Sequence, residues 1–148
     1  MNAQGYTLHV DSERIVIATG FKRSTNNRKT GDMIQIWILT KRQDPVSAVR
    51  SGADSLICGS CPLRGNATTG RTCYVTLAKA PLTVWKAYHA GRYPALPAFV
   101  LFAGRKVRFG AYGDPSFIPM PLIQSIASNC AGWTGYTHQW EKPWAQAF

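Results

Sequence analysis

Met33-Ile-Gln-Ile-Trp-Ile-Leu39 places isoleucine at every second position, at 34, 36 and 38. Side chains of a strand alternate between its two faces, so this spacing predicts a β-strand with one isoleucine face against a core. Just upstream, Ile15-Val-Ile-Ala18 is a short β-branched run and predicts a second strand. The polar stretch between them, residues 21–32, contains Thr30-Gly31-Asp32 and reads as a long hairpin loop carrying Lys22, Arg23, Arg28 and Lys29. Downstream, Asp44 as N-cap, Pro45 in the first turn and Gly52 past the end predict one or two helical turns over 45–50.

Further along, residues 57–73 read as a loop rich in Gly, Cys, Ser and Thr. Residues 81–90 predict a helix that Pro81 opens and Gly91 ends, with Leu82, Trp85 and His89 on one face. Residues 98–103 and 106–110 predict strands, and in the second of these Val107 and Phe109 face opposite to Lys106 and Arg108. Gly113-Asp114-Pro115 predicts a turn. A helix is expected over 121–130, with Leu122, Ile123, Ile126, Ala127 and Cys130 as its apolar face and Gly132 as its cap, and a last strand over 133–140. The fold class is therefore α+β or α/β. It is a single mixed domain over residues 1–148, with a strand-rich first third and then alternating helices and strands around a Cys-containing loop.

Composition narrows the class. Hydrophobic residues make up 45% of the chain and charged residues 16% of its 148 positions, which is a globular balance. No apolar run approaches the ~20 residues of a membrane span, and no basic-then-apolar leader opens the chain, so a cytoplasmic protein without membrane attachment is expected. Four cysteines in such a compartment point to metal ligands or core thiols rather than disulfides.

The charge is strongly basic, 17 Lys+Arg against 7 Asp+Glu, for a net +10. No acidic residue occurs between Asp54 and Asp114, a stretch that carries Arg64, Arg71, Lys79, Lys86, Arg92, Arg105, Lys106 and Arg108. Tyr74, Trp85, Tyr88, Tyr93, Phe109 and Tyr112 are interleaved with these cations. Cation clusters bind phosphates with release of counterions, and aromatic rings stack on unpaired bases. Nucleic acid is the expected partner, with Lys22, Arg23, Arg28, Lys29, Arg105 and Arg108 as phosphate contacts. A solvated basic face is the plainer alternative.

Cys58-Gly-Ser-Cys61 is a C-x2-C pair, and Cys73 lies within 16 residues of its start. Small residues between two cysteines allow both thiolates to reach one tetrahedral centre, and a folded-back loop can bring a third. Cys58, Cys61 and Cys73 are thus expected to hold a zinc ion or an Fe–S cluster, the latter manageable with three thiolates. His9, His89, His138 and Cys130 are candidates for a fourth ligand. A reduced, metal-free loop is the alternative.

Two further residues invite a chemical role. Asp114, after a predicted strand and before a helix, suits a general base or a metal carboxylate, or equally a turn cap. His138 shares a strand face with Tyr136 and Trp140 and suits a proton carrier or ligand, or a hydrogen-bonded sheet histidine. The chain has no Walker loop, no G-x-G-x-x-G and no His-x-Glu of the zinc deaminases.

Seven segments together carry a resemblance: residues 26–35, Ile57-Cys-Gly-Ser-Cys-Pro-Leu-Arg64, Arg71-Thr-Cys-Tyr-Val75, residues 81–88, Gly91-Arg-Tyr-Pro94, Val107-Arg-Phe-Gly-Ala-Tyr-Gly-Asp-Pro115 and Gly132-Trp-Thr-Gly-Tyr-Thr-His-Gln-Trp140. From about Ala18 to Trp140 the chain resembles an uncharacterised family of bacteriophage and prophage proteins. The resemblance implies a phage protein acting in the host cytoplasm. It also implies a second Cys-rich segment near the C-terminus of longer members, which would complete a metal site with Cys58, Cys61 and Cys73. A fainter likeness is to radical-SAM-type barrels, whose C-x3-C-x2-C spacing this sequence lacks.

The leading expectation is a phage-type basic nucleic-acid-binding protein with a Cys-based metal site. The second is a small inhibitor that binds a host defence complex of CRISPR or nuclease type. The third is an Fe–S or metal-dependent enzyme using Asp114 and His138.

Overall fold

Strand β3 (Ile34–Thr40) is the middle strand of a five-stranded sheet in the computed structural model, which describes residues 3–22, 31–65 and 70–146. The sheet follows chain order: β1 (Gly5–Val10), β2 (Arg14–Thr19), β3, β4 (Lys106–Tyr112) and β5 (Gly132–Gly135). β1, β2 and β3 form an antiparallel meander, and β3, β4 and β5 run parallel. The result is a single α+β domain with its antiparallel strands at the N-terminal side.

The isoleucine face of β3 is buried as its alternation predicts, but so is the opposite face with Gln35, Trp37 and Leu39. Parallel pairing explains this. A parallel neighbour needs a long crossover, and crossovers lay helices over the sheet. The β3–β4 crossover supplies α1 (Pro45–Ser51), α2 (Ser55–Cys58) and α3 (Ala80–His89), all packed against β3. The β4–β5 crossover supplies α4 (Met120–Asn129), which buries Ile123 and Ile126. Polar atoms in this layer are paired: the Trp37 indole N–H donates to Thr19 Oγ1 at 2.9 Å and the Trp85 indole to the Thr40 carbonyl at 2.9 Å.

Helix α1 starts and stops where its caps predict. Asp44 Oδ1 accepts from the amides of Val46 and Ser47, and Gly52 closes the helix at φ +83°. The Ser47 hydroxyl and amide hold the Asp44 carboxyl below the usual range. Among the described residues, no helix is long and apolar enough to cross a membrane.

Strand β1 was not among the expected elements; its pairing with β2 is interrupted between Thr7 and His9. Three expectations change. Residues 98–103 are not a strand. Phe99–Phe102 is a 3₁₀ turn that buries Phe102 and packs Phe99 against the core while Val100 stays exposed, a spacing of three rather than two. Gly132 does not cap α4; Cys130 does, and Gly132 opens β5 opposite Lys106. The last strand ends at Gly135, because beyond the Phe109–Gly135 pair the chain is held by side chains and not by a ladder.

Candidate functional site

The carboxyl ends of β4 and β5 open into a cleft of about 480 Å³. Ligands in open α/β sheets collect at such strand ends, where the loops diverge. Three segments that are distant in sequence meet here. The first is the Cys loop with Cys58, Cys61 and Cys73. The second is the end of β4 with Gly110, Tyr112, Gly113 and Asp114. The third runs from Thr134 to His138 and on to Trp140.

Side chains that the sequence reading did not single out fix this convergence. Gln139 is 2% exposed. Its Nε2 donates to the Cys58 carbonyl at 3.0 Å, and its Oε1 accepts from the Ser60 amide and hydroxyl. Gly59 makes room for that contact: its φ is +57°, and a Cβ there would lie 2.6 Å from Gln139 Oε1. Gly113, at φ +83°, lets the loop after β4 pass directly against the Ile38 carbonyl. Thr137 and Gln139 point inward while Tyr136, His138 and Trp140 stand exposed. The period-two reading of this segment was therefore sound in its alternation and wrong in its ladder.

Asp114 is 5% exposed and fully engaged. Its Oδ1 accepts from the Ser116 amide at 2.9 Å and the Thr137 hydroxyl at 2.7 Å, and its Oδ2 accepts from the His138 amide at 2.7 Å. A carboxylate committed to three protein donors works as a clasp between the β4 and β5 loops. This selects the capping alternative for Asp114 over the general base. The His138 imidazole stands at the cleft, and the residue is joined to Asp114 through its backbone.

Three of the four cysteines line the cleft, but among the described residues no three His, Cys, Asp or Glu side chains are grouped to hold a metal ion. Burial, reinforced by Asp54 and the neighbouring thiols, pushes the Cys58 thiol up to about 12. Zinc and iron bind thiolates. As placed, these side chains form no grouped ligand set for the expected zinc ion or Fe–S cluster, and the unmetallated Cys58 is a neutral, weakly polar thiol. Of the fourth-ligand candidates only His138 lines the cleft; His9 pairs with Asp11, His89 stacks on Trp85, and Cys130 packs against the core.

A thiol with that proton affinity is ~10⁻⁴ ionised at pH 8. Iodoacetamide is therefore expected to alkylate Cys58 about a thousandfold more slowly than free cysteine, read by peptide mass mapping over time. Labelling of Cys58 at the rate of free cysteine would show that the thiol is not held protonated by burial.

The cationic candidates separate. Arg64 is withdrawn into the fold by Asp54, and Arg105 Nη2 donates to the Gly20 and Asp32 carbonyls, tying the ends of β2 and β3. Arg105 Nη2 thus serves as a structural clip between these two strand ends. Lys22 is exposed at the end of β2. Arg23, Arg28 and Lys29 lie outside the described residues. Arg108 stands at the cleft, its Nη2 donating to the Tyr74 hydroxyl at 2.6 Å. Around the same opening Tyr74, Tyr136 and Trp140 are 76%, 82% and 66% exposed. Of the aromatics interleaved with cations in the sequence, Phe109 and Tyr112 belong instead to the core.

Compared with family models, curated proteins and solved structures, the chain matches none.

Proposed function

We propose that the protein binds single-stranded nucleic acid across the face around this cleft. One observation carries the reading: three large rings, Tyr74, Tyr136 and Trp140, stand exposed beside Arg108 at one opening, in a chain of net charge +10. Exposing that much aromatic surface is unfavourable in water unless a partner covers it. Unpaired bases cover rings of this kind, and the phosphates that accompany them suit a basic face. Duplex DNA offers no base faces to such a platform, so a single strand is the better fit. Asp114, the acid that lines the cleft, has both carboxylate oxygens engaged by internal donors.

The test is fluorescence anisotropy with a labelled single strand over a salt series. Neutralising about four phosphates gives about a fiftyfold loss of affinity between 50 and 200 mM salt. A flat response would overturn the phosphate contacts. Trp140→Ala, at an exposed position, is expected to leave the fold intact and weaken binding about tenfold. Unchanged affinity in that variant would remove the stacking platform.

A further inference from the structure

A second hollow adjoins the cleft across the end of β5. Trp133 and Thr134 are neighbours in that strand, so their side chains leave opposite faces of the sheet. Thr134 lines the cleft already described, and Trp133 lines a hollow of about 500 Å³. The two spaces share one wall, made of Gly135, Tyr136, Thr137 and Trp140. Tyr136 and Trp140, the rings that carry the strand-binding reading, therefore border two openings rather than one.

The way across this wall is open. β5 is the last strand of the sheet and, among the described residues, pairs with β4 alone. The opposite edge of the sheet is covered: the Thr7 amide donates to the Pro94 carbonyl at 2.8 Å, and the Leu96 amide donates to the Thr7 carbonyl at 3.1 Å. Gly135 adds no side chain to the shared wall. No acidic residue lines the second hollow, so an anionic chain meets no carboxylate in it. Trp133 is 48% exposed, and its ring packs edge-on to Phe109 with centroids 5.8 Å apart. An indole held against the core and still half open to solvent is a stacking platform whose position is already fixed.

We infer that the second hollow is an adjoining subsite for a further nucleotide of the same strand. The inference rests on the strand-binding reading and extends it. The strand runs from the cleft over the end of β5, with successive bases on the two sides of the Tyr136 and Trp140 wall and the far base on Trp133. Stacking uses the face that every base has, so this subsite adds affinity without a preference among bases.

Hydroxyl-radical footprinting of the intact protein tests this, with and without a saturating oligothymidylate of about eight nucleotides. Peptide mass mapping should show Trp133 oxidised about threefold or more slowly in the complex, together with Tyr136 and Trp140. Trp144 is the internal control. It is 49% exposed and lines neither space, so its rate should stay that of the free protein. In anisotropy with the same strand carrying fluorescein, Trp133→Leu keeps an apolar contact for Phe109, removes the ring and should weaken binding about tenfold. No cation is lost, so the salt dependence should remain the parent's. The footprint is read on the unsubstituted protein and decides the question whatever the variant's fold. If Tyr136 and Trp140 are protected while Trp133 reacts at the free rate, or if a folded Trp133→Leu keeps the parent's affinity, the second subsite is overturned and strand binding at the cleft stands. Protection of Trp144 equal to that of Trp133 overturns the subsite in the same way. A strand that neither binds nor protects any of these rings overturns both readings.

Discussion

Arg64→Ala is expected to lower the stability of the domain by about 3 kcal/mol, the largest loss from any single exposed-looking cation. Arg64 sits in Cys61-Pro-Leu-Arg64, within the acid-free basic stretch, yet its guanidinium is turned inward. Nε and Nη2 grip the two oxygens of Asp54 at 3.1 and 2.7 Å, while Nη1 and Nη2 donate to the carbonyls of Gly59 and Gly52. The Asp54 side chain is 3% exposed, so losing Arg64 leaves a carboxylate buried without its partner. The same Asp54 hydrogen bonds raise the proton affinity of the guanidinium further above its ordinary value. At about 2–4 °C per kcal/mol for a domain near this size, the melting temperature should fall by about 10 °C, measured by calorimetry. Arg64→Lys retains charge but not the fork and should recover about half of the loss. The double variant Asp54→Ala with Arg64→Ala should be more stable than Arg64→Ala alone, because no uncompensated charge remains. Strictly additive losses, or an Arg64→Ala melting point within a degree of the parent, would show that the pair is not holding the turn.

This pair marks the boundary of what the sequence made legible. Local signals transferred well: the isoleucine alternation of β3, and the Asp44, Pro45 and Gly52 punctuation of α1, depend on neighbours in the chain. The turn at Asp114 did too, as its side chain caps the 3₁₀ turn Pro115–Phe117. The segments that later converge were also visible as oddities, since Cys58, Cys61, Cys73, Asp114, His138 and Arg108 all line one cleft. Their roles were not visible. A buried Asp–Arg fork and a half-buried Arg at the mouth of a cleft have the same composition, and only tertiary placement separates Arg64 and Arg105 from Arg108. Gln139 carries no motif at all. Its place could have been read from the alternation of residues 136–140, which puts Thr137 and Gln139 opposite the three exposed residues. The 3₁₀ turn at Phe99–Phe102 went unread because an apolar run of that length fits a strand and a buried turn equally well.

Asp114→Ala is expected to cost about as much as loss of the Arg64 fork, and to weaken strand binding with it. Three donors lose their acceptor at once: the Ser116 amide, the Thr137 hydroxyl and the His138 amide. Each buried donor left unpaired costs about 1–3 kcal/mol, reduced where water can reach it, so a total near ~3 kcal/mol is expected. The structural consequence is specific. Residues 136–140 have no ladder partner beyond Gly135, and the clasp together with Gln139 fixes them beside the Cys loop. With the clasp gone, Tyr136 and Trp140 lose their fixed place at the opening, and strand affinity should fall by more than the tenfold expected for Trp140→Ala alone. Thr137→Val separates positioning from chemistry. It removes one of the three donors, leaves the carboxylate in place, and should weaken both stability and binding to an intermediate degree. A catalytic Asp114 would instead leave strand affinity and melting temperature near parental values in Asp114→Asn. A clasp would not, because an amide nitrogen in place of Oδ2 cannot accept from the His138 backbone N–H, which loses its partner.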